Sequence, residues 1–167
     1  MKPDNSKSVG QAYRLSTLTY NSWTRHLPHF QLSEGYYLIT FSTYNKQVLS
    51  LLQKDSVFNA IRFLDGKKYE LWAVVVLDDH VHVIINPFYA LSEIMHSIKS
   101  FTAHQVNKLS NRNGRVWQDE NHDRVIRNEK EFIEKINYIA NNPIKANLVT
   151  EYKNYKWLYI KNWIKND

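Results

Sequence analysis

Asp78 and Asp79 alone separate two strand-like runs, and that spacing restricts the fold of this chain more than any other feature. Upstream, Lys68 to Leu77 holds the run Trp72-Ala73-Val74-Val75-Val76, which has no polar alternation and therefore suits a strand buried on both faces. Downstream, His80 to Asn86 does alternate: Val81, Val83 and Ile85 leave one side while His80 and His82 leave the other. A parallel pair needs a crossover of about a dozen residues, so strands joined this closely must form an antiparallel hairpin. Pro87 ends the second strand because it cannot continue a ladder from the interior of a sheet.

The remaining elements arrange themselves around that hairpin. Tyr36 to Tyr44 is β-branched and aromatic and reads as a strand. Lys46 to Leu64 carries Val48, Leu51, Leu52, Val57, Phe58, Ile61 and Leu64 at largely helical spacing, closed by Asp65-Gly66. Ser92 is the expected N-cap of a helix running to about Leu109, broken by Asn111 to Gly114. Arg115 to Gln118 or His122 to Arg127 supplies a further strand. Glu129 to Asn141 forms a helix with Phe132, Ile133, Ile136, Ile139 and Ala140 in one stripe, bounded by Pro143. The order βαββαβα implies an α+β fold, a ferredoxin-like antiparallel sheet with packed helices. Residues 1–33, rich in Ser, Thr, Asn and Lys without a sustained period, read as an N-terminal arm, leaving 34–167 as the folded domain. With 43% apolar and 14% aromatic residues in 167, the chain suits one buried core.

The net charge of +6 favours a polyanionic partner. The absence of cysteine excludes disulfides and thiolate metal sites and makes a reducing cytoplasm the simplest compartment. The longest apolar run, Leu71 to Leu77, is too short to span a bilayer, so no membrane partner is expected.

His80 and His82 share a strand face opposite the core, where two neutral imidazoles suit a divalent cation. Seven histidines in the chain make such a pair weak evidence alone. Further metallo-hydrolase ligands would fall where Ile84 and Ile85 stand, and the barrel hydrolases that use this pair need roughly 250 residues. On the last helix Tyr138 lies roughly 200° from the centre of the apolar stripe, so it is no ordinary core tyrosine. Asn142 falls beside it if the helix runs one residue further. A solvent-facing tyrosine before an Asn-Pro helix stop fits the same residues.

The segment from Tyr138 to Val149 (YIANNPIKANLV) resembles a signature of transposases associated with repetitive extragenic palindromes, relatives of the small single-tyrosine insertion-sequence transposases. Asp79-His80-Val81-His82-Val83 resembles their HUH strand. Arg25-His26-Leu27-Pro28-His29 before Tyr37-Leu38-Ile39-Thr40-Phe41, and Trp117-Gln118 before Asp123-Arg124, are similar too and follow the family's order. The resemblance implies an HUH endonuclease fold in which His80, His82 and Asn142 hold Mg²⁺ or Mn²⁺ and Tyr138 attacks a DNA phosphate, giving a 5′-phosphotyrosine link. A phenol ordinarily titrates near about 10, so attack at neutral pH needs assistance. Single-stranded or hairpin DNA is the implied partner, in the cytoplasm of a prokaryote and at its nucleoid. Relatives act as monomers or as homodimers that exchange the tyrosine helix.

Three positions depart from the pattern. Asp78 stands where a proline is frequent, Asn147 replaces a usual glycine but tolerates positive φ, and His122 replaces a common aromatic. Between Ile94 and Gln118 the charged residues Lys99, Lys108, Arg112 and Arg115 are all basic, a DNA-facing surface or a solvated one. Arg124 and Lys145 join them as expected DNA contacts. From Tyr152 to Asp167 lysines interleave with Tyr155, Trp157, Tyr159 and Trp163; Trp157 is expected to pack, and the others suit packing or stacked bases. The competing readings are a non-catalytic module that binds single-stranded nucleic acid on its sheet and a metal-dependent hydrolase of small phosphoesters.

Overall fold

The structure, a computed structural model, describes residues 35–161. The expected arm at 1–33, the Arg25 to His29 block, Trp163 and Lys165 lie outside those residues. A sheet of five strands has β1 (Tyr36–Ser42) flanked by β3 (His80–Pro87) and β4 (His122–Ile126), and β2 (Tyr69–Val76) flanked by β3 and β5 (Leu158–Ile160). All four pairings are antiparallel, and the order β4-β1-β3-β2-β5 is the anticipated ferredoxin-like sheet with one strand added.

The β2–β3 hairpin forms as read, with Leu77 N donating to His80 O at 2.9 Å across the two aspartates. β2 is buried along nearly all its length. β5 was not anticipated, because a three-residue strand leaves too little alternation to detect. Trp117 contributes an isolated bridge to Thr43, while His122–Ile126 forms the fourth strand.

Helix α1 (Leu51–Phe63) starts later than the apolar spacing from Lys46 suggested. Ser50 and Gln53 form a reciprocal capping box, with Ser50 N donating to Gln53 Oε1 at 2.8 Å, and this fixes the first turn. Val48, Leu51 and Leu52 are consequently exposed and take no part in the core. Helix α2 (Leu91–Leu109) begins one residue before Ser92, after Ala90, which makes no side-chain cap. Helix α3 (Glu129–Lys145) passes through Pro143 where a stop was expected. Pro143 lacks one helical N–H, but it is buried, and that packing outweighs the local breaker. The turn ends instead at Asn147, with φ of 55° in the left-handed region that asparagine tolerates.

α1 and α2 pack on the face that receives Phe41, Val81, Val83 and Ile85, where Gln53 Nε2 donates to Val106 O at 3.1 Å between the two helices. α3 covers the opposite face, packing chiefly on β2 and also meeting β3 and β5. Its ring Phe132 meets Tyr36 of β1 and Trp72 of β2 edge to face, with centroids 5.5 and 5.3 Å apart, which docks the helix on the histidine side. Trp157 packs as expected, its indole donating to Asp55 Oδ1 at 2.8 Å, and Tyr155 Oη donates to Val76 O at 2.8 Å.

Candidate active site

The hairpin turn presents His80 and His82 at the first residues of β3, and neighbouring segments fix that turn. Thr43 N and Oγ1 donate to Asp79 O at 2.8 and 3.1 Å, and Leu49 N donates to Asp78 O at 2.7 Å. The nearly buried ammonium of Lys54 pairs with the Asp78 carboxylate, so an ion pair anchors this position.

Each imidazole is held through Nδ1. His80 Nδ1 lies 2.6 Å from Asp79 Oδ1 and His82 Nδ1 lies 2.7 Å from Thr40 Oγ1, so both Nε2 atoms remain for other partners. The rings meet edge to face, 4.9 Å between centroids. Burial, and secondarily the charge of His80, pushes the pKa of His82 down to about 4, so this ring is neutral at pH 7.

Tyr138 comes from α3 to the same place. Its Oη is 3.4 Å from His82 Nε2, with the rings 5.1 Å apart and edge to face. A position about 200° from the apolar stripe would seem to point the ring into solvent. However, α3 lies over β2 and also meets β3, and the Tyr138 ring reaches His82 of β3 from there. The phenol thereby reaches the His82 imidazole of its own chain.

Asn142 falls within α3, four residues after Tyr138 and on the adjoining surface. Its Nδ2 donates to Tyr138 O at 2.7 Å, and among the described residues no hydrogen bond occupies its Oδ1. Lys145 Nζ stands 5.5 Å from the centre of the Tyr138 ring.

This donor set fits a divalent cation. A ligating histidine ordinarily has its second nitrogen fixed by a carboxylate, hydroxyl or carbonyl, which is the state of His80 and His82. Among the described residues no three His, Asp or Glu side chains gather as a metal cage. Two imidazoles alone do not complete the coordination of a cation, so further oxygen donors would have to join them.

The basic residues singled out in the sequence do not form one surface around this site. Lys99 belongs to α2, across the sheet, and its Nζ donates to Gln118 O, Asp119 O and Glu120 O at 3.0, 3.0 and 3.3 Å, tying down that loop. Lys108 is exposed at the end of the same helix. Arg112 donates to Gln47 Oε1 at 2.9 Å, and Arg115 pairs with Asp119 and stands over the Tyr44 ring. Arg124 lies on the histidine face but is engaged by Glu131 of α3 at 2.7 Å. Only Lys145 of this group stands against Tyr138. Thr40 was not singled out as a site residue, because its role follows from the register of β1 on β3, which sequence does not supply.

The model of the IS200-like transposase family matches residues 31–142, well over half the chain. Among solved structures, the REP-associated tyrosine transposase bound to a REP hairpin is similar, with a TM-score of 0.64, 21% identity, and coverage of 80% of this chain and 81% of that one. At that identity the likeness concerns the fold. A Deinococcus radiodurans protein described as a candidate transposase matches with a TM-score of 0.49 and 19% identity, over 70% of this chain and 96% of its own. No curated protein matches the sequence.

Proposed function

The chain belongs to the IS200-like transposase family, and from that membership we propose that it cleaves and rejoins single-stranded, hairpin-forming DNA through Tyr138. The observation that carries this reading is the approach of the Tyr138 phenol to His82 Nε2 at 3.4 Å within one chain. That geometry favours a tyrosine acting in cis and makes an exchanged helix unnecessary. The place of action is the cytoplasm, at the nucleoid.

In this reading His80, His82 and Asn142 would hold Mg²⁺ or Mn²⁺. Such a cation, when bound, withdraws charge from the scissile phosphate as it is attacked. Tyr138 Oη bonds to phosphorus while the bond from phosphorus to the 3′ oxygen breaks. The products are a 5′-phosphotyrosine and a free 3′-hydroxyl; the phenol loses its proton and the departing oxygen gains one. Since one phosphoester replaces another, the 3′-hydroxyl of a second DNA end can reverse the step without ATP. Nε2 of His82 is the ring nitrogen that faces Tyr138, and the Lys145 ammonium beside the Tyr138 ring attracts the arriving phosphate. Lys108, exposed at the end of α2, is left for an outlying contact to the DNA backbone, whereas Lys99, Arg112, Arg115 and Arg124 are engaged by partners within the chain.

The test is to incubate the protein with a single-stranded hairpin oligonucleotide and Mn²⁺ and run a denaturing gel. A covalent protein–DNA band is expected, lost in Tyr138→Phe and in EDTA. A band that survives in Tyr138→Phe would remove Tyr138 as the nucleophile. Binding that ignores EDTA and never yields an adduct would identify a single-strand-binding module instead.

A further inference from the structure

The histidine face extends beyond the residues already given a role. Because Thr40 pairs with His82 on one side and with His122 on the other, the side chains of His122, Thr40 and His82 leave the sheet in one row. At about 4.8 Å per strand, His122 stands roughly 10 Å from His82. Ser42, paired with His80, lies on the same face one step along β1.

α3 divides this face unequally. Its first turns bury Tyr36 at the far end of β1, and its body lies on β2, while toward the histidine end Thr40 and Ser42 are half-buried and His122 is exposed. A polar shelf therefore opens from the imidazole pair toward the β4 edge, and among the described residues nothing walls it on that side. Thr40 is occupied by His82 and Arg124 by Glu131. The imidazole of His122 has no hydrogen bond or ion pair among the described residues.

We propose that this shelf carries the single strand adjoining the cleaved bond, and that His122 donates a hydrogen bond to a backbone phosphate of that strand. The proposal rests on the nuclease reading and adds a path for its substrate. Ten ångströms is no more than about three nucleotides at 3.4 Å each, so the contact falls within three nucleotides of the cut and on one side of it only. The opposite direction from His82 leads to Val75 beneath α3, which leaves no comparable room for a strand.

The experiment measures, in a Tyr138→Phe background, the affinity for a hairpin oligonucleotide with single-stranded flanks, with and without His122→Ala. His122→Ala is expected to weaken binding about fivefold, with His122→Gln, which keeps a donor, restoring part of the loss. Trimming the oligonucleotide to the cleavage point should abolish the difference when one flank is removed and preserve it when the other is. Since His122 is exposed, an unchanged melting temperature excludes a folding defect. Equal affinities, or a deficit independent of which flank is trimmed, would overturn the proposal even where the wild-type protein forms its adduct. If the wild type forms no adduct and does not bind the oligonucleotide, the nuclease reading falls with it.

Discussion

Two threonines, one on each side of the sheet, perform the same chemistry for different ends. Thr102 of α2 is fully buried; its hydroxyl donates to Ile98 O at 2.7 Å and accepts from the Trp117 indole at 2.9 Å, closing a polar gap inside the core. Thr40 of β1 turns to the other face and holds His82 Nδ1 at 2.7 Å, leaving the second ring nitrogen for chemistry. On the α1/α2 side Gln53 and Thr102 spend their hydrogen bonds on packing, while Thr43 and Lys54 fix the turn that presents the histidines. On the α3 side the bonds of Thr40 and Asp79 orient imidazoles whose Nε2 atoms stay available, and the proposed chemistry falls on that face.

The sharpest way to break this comparison is to remove one residue from each side of β3. His80→Ala is expected to reduce adduct formation by at least about 100-fold while leaving the melting temperature nearly unchanged, since His80 is only part-buried. Gel assay and calorimetry on the same preparation check both halves. Ile85, fully buried on the other face, should behave in reverse. Ile85→Ala should cost about 2–5 kcal/mol and lower the melting temperature by about 4–20 °C, with near-normal cleavage well below it. Equal loss of stability in both variants would show that the faces are not separate.

The sequence displays one side of this division better than the other. Alternation in His80 to Ile85 and the two-residue link before it reveal the hairpin and assign each residue a face, because strand geometry is local. The stripe from Phe132 to Ala140 shows which part of α3 packs. Local rules fail where tertiary packing decides. Asn142-Pro143 reads as a stop, yet buried Pro143 stays helical and keeps Asn142 next to Tyr138. A helical wheel places Tyr138 away from the core but does not reveal that α3 sits over β2, within reach of β3. Lys99 looks like part of a DNA-facing series, but only the fold puts α2 across the sheet and turns that ammonium toward the carbonyls of the loop from Gln118 to Glu120.

A smaller effect comes from acid. The pKa of His82 is pushed from its ordinary 6.5 down to about 4 in the folded protein, so below pH 6.5 the unfolded chain takes up the proton first. Stability attached to this ring is therefore complete above pH 6.5 and declines as the pH falls toward 4, by at most about 3 kcal/mol. Denaturant unfolding at several pH values, compared with His82→Gln, should show the wild type alone losing this increment across that window. Parallel curves would mean that the folded protein does not resist protonation of His82.

The finest comparison makes the same change in both threonines. Thr→Val nearly preserves shape and removes the hydroxyl, so each variant reports what that hydroxyl is for. Thr102→Val strands the Trp117 N–H inside the core and should cost about 1–3 kcal/mol without altering Mn²⁺ affinity. Thr40→Val frees the His82 ring to reorient at a half-buried position; stability should fall by about 1 kcal/mol or less, while Mn²⁺ affinity, read by calorimetric titration, weakens about tenfold. The two readouts should cross: stability responding to one threonine, metal affinity to the other. If Thr40→Val binds Mn²⁺ as tightly as the wild type, the hydroxyl on the histidine face is only another packing bond, and the functional distinction between the two sides ends at the imidazoles themselves.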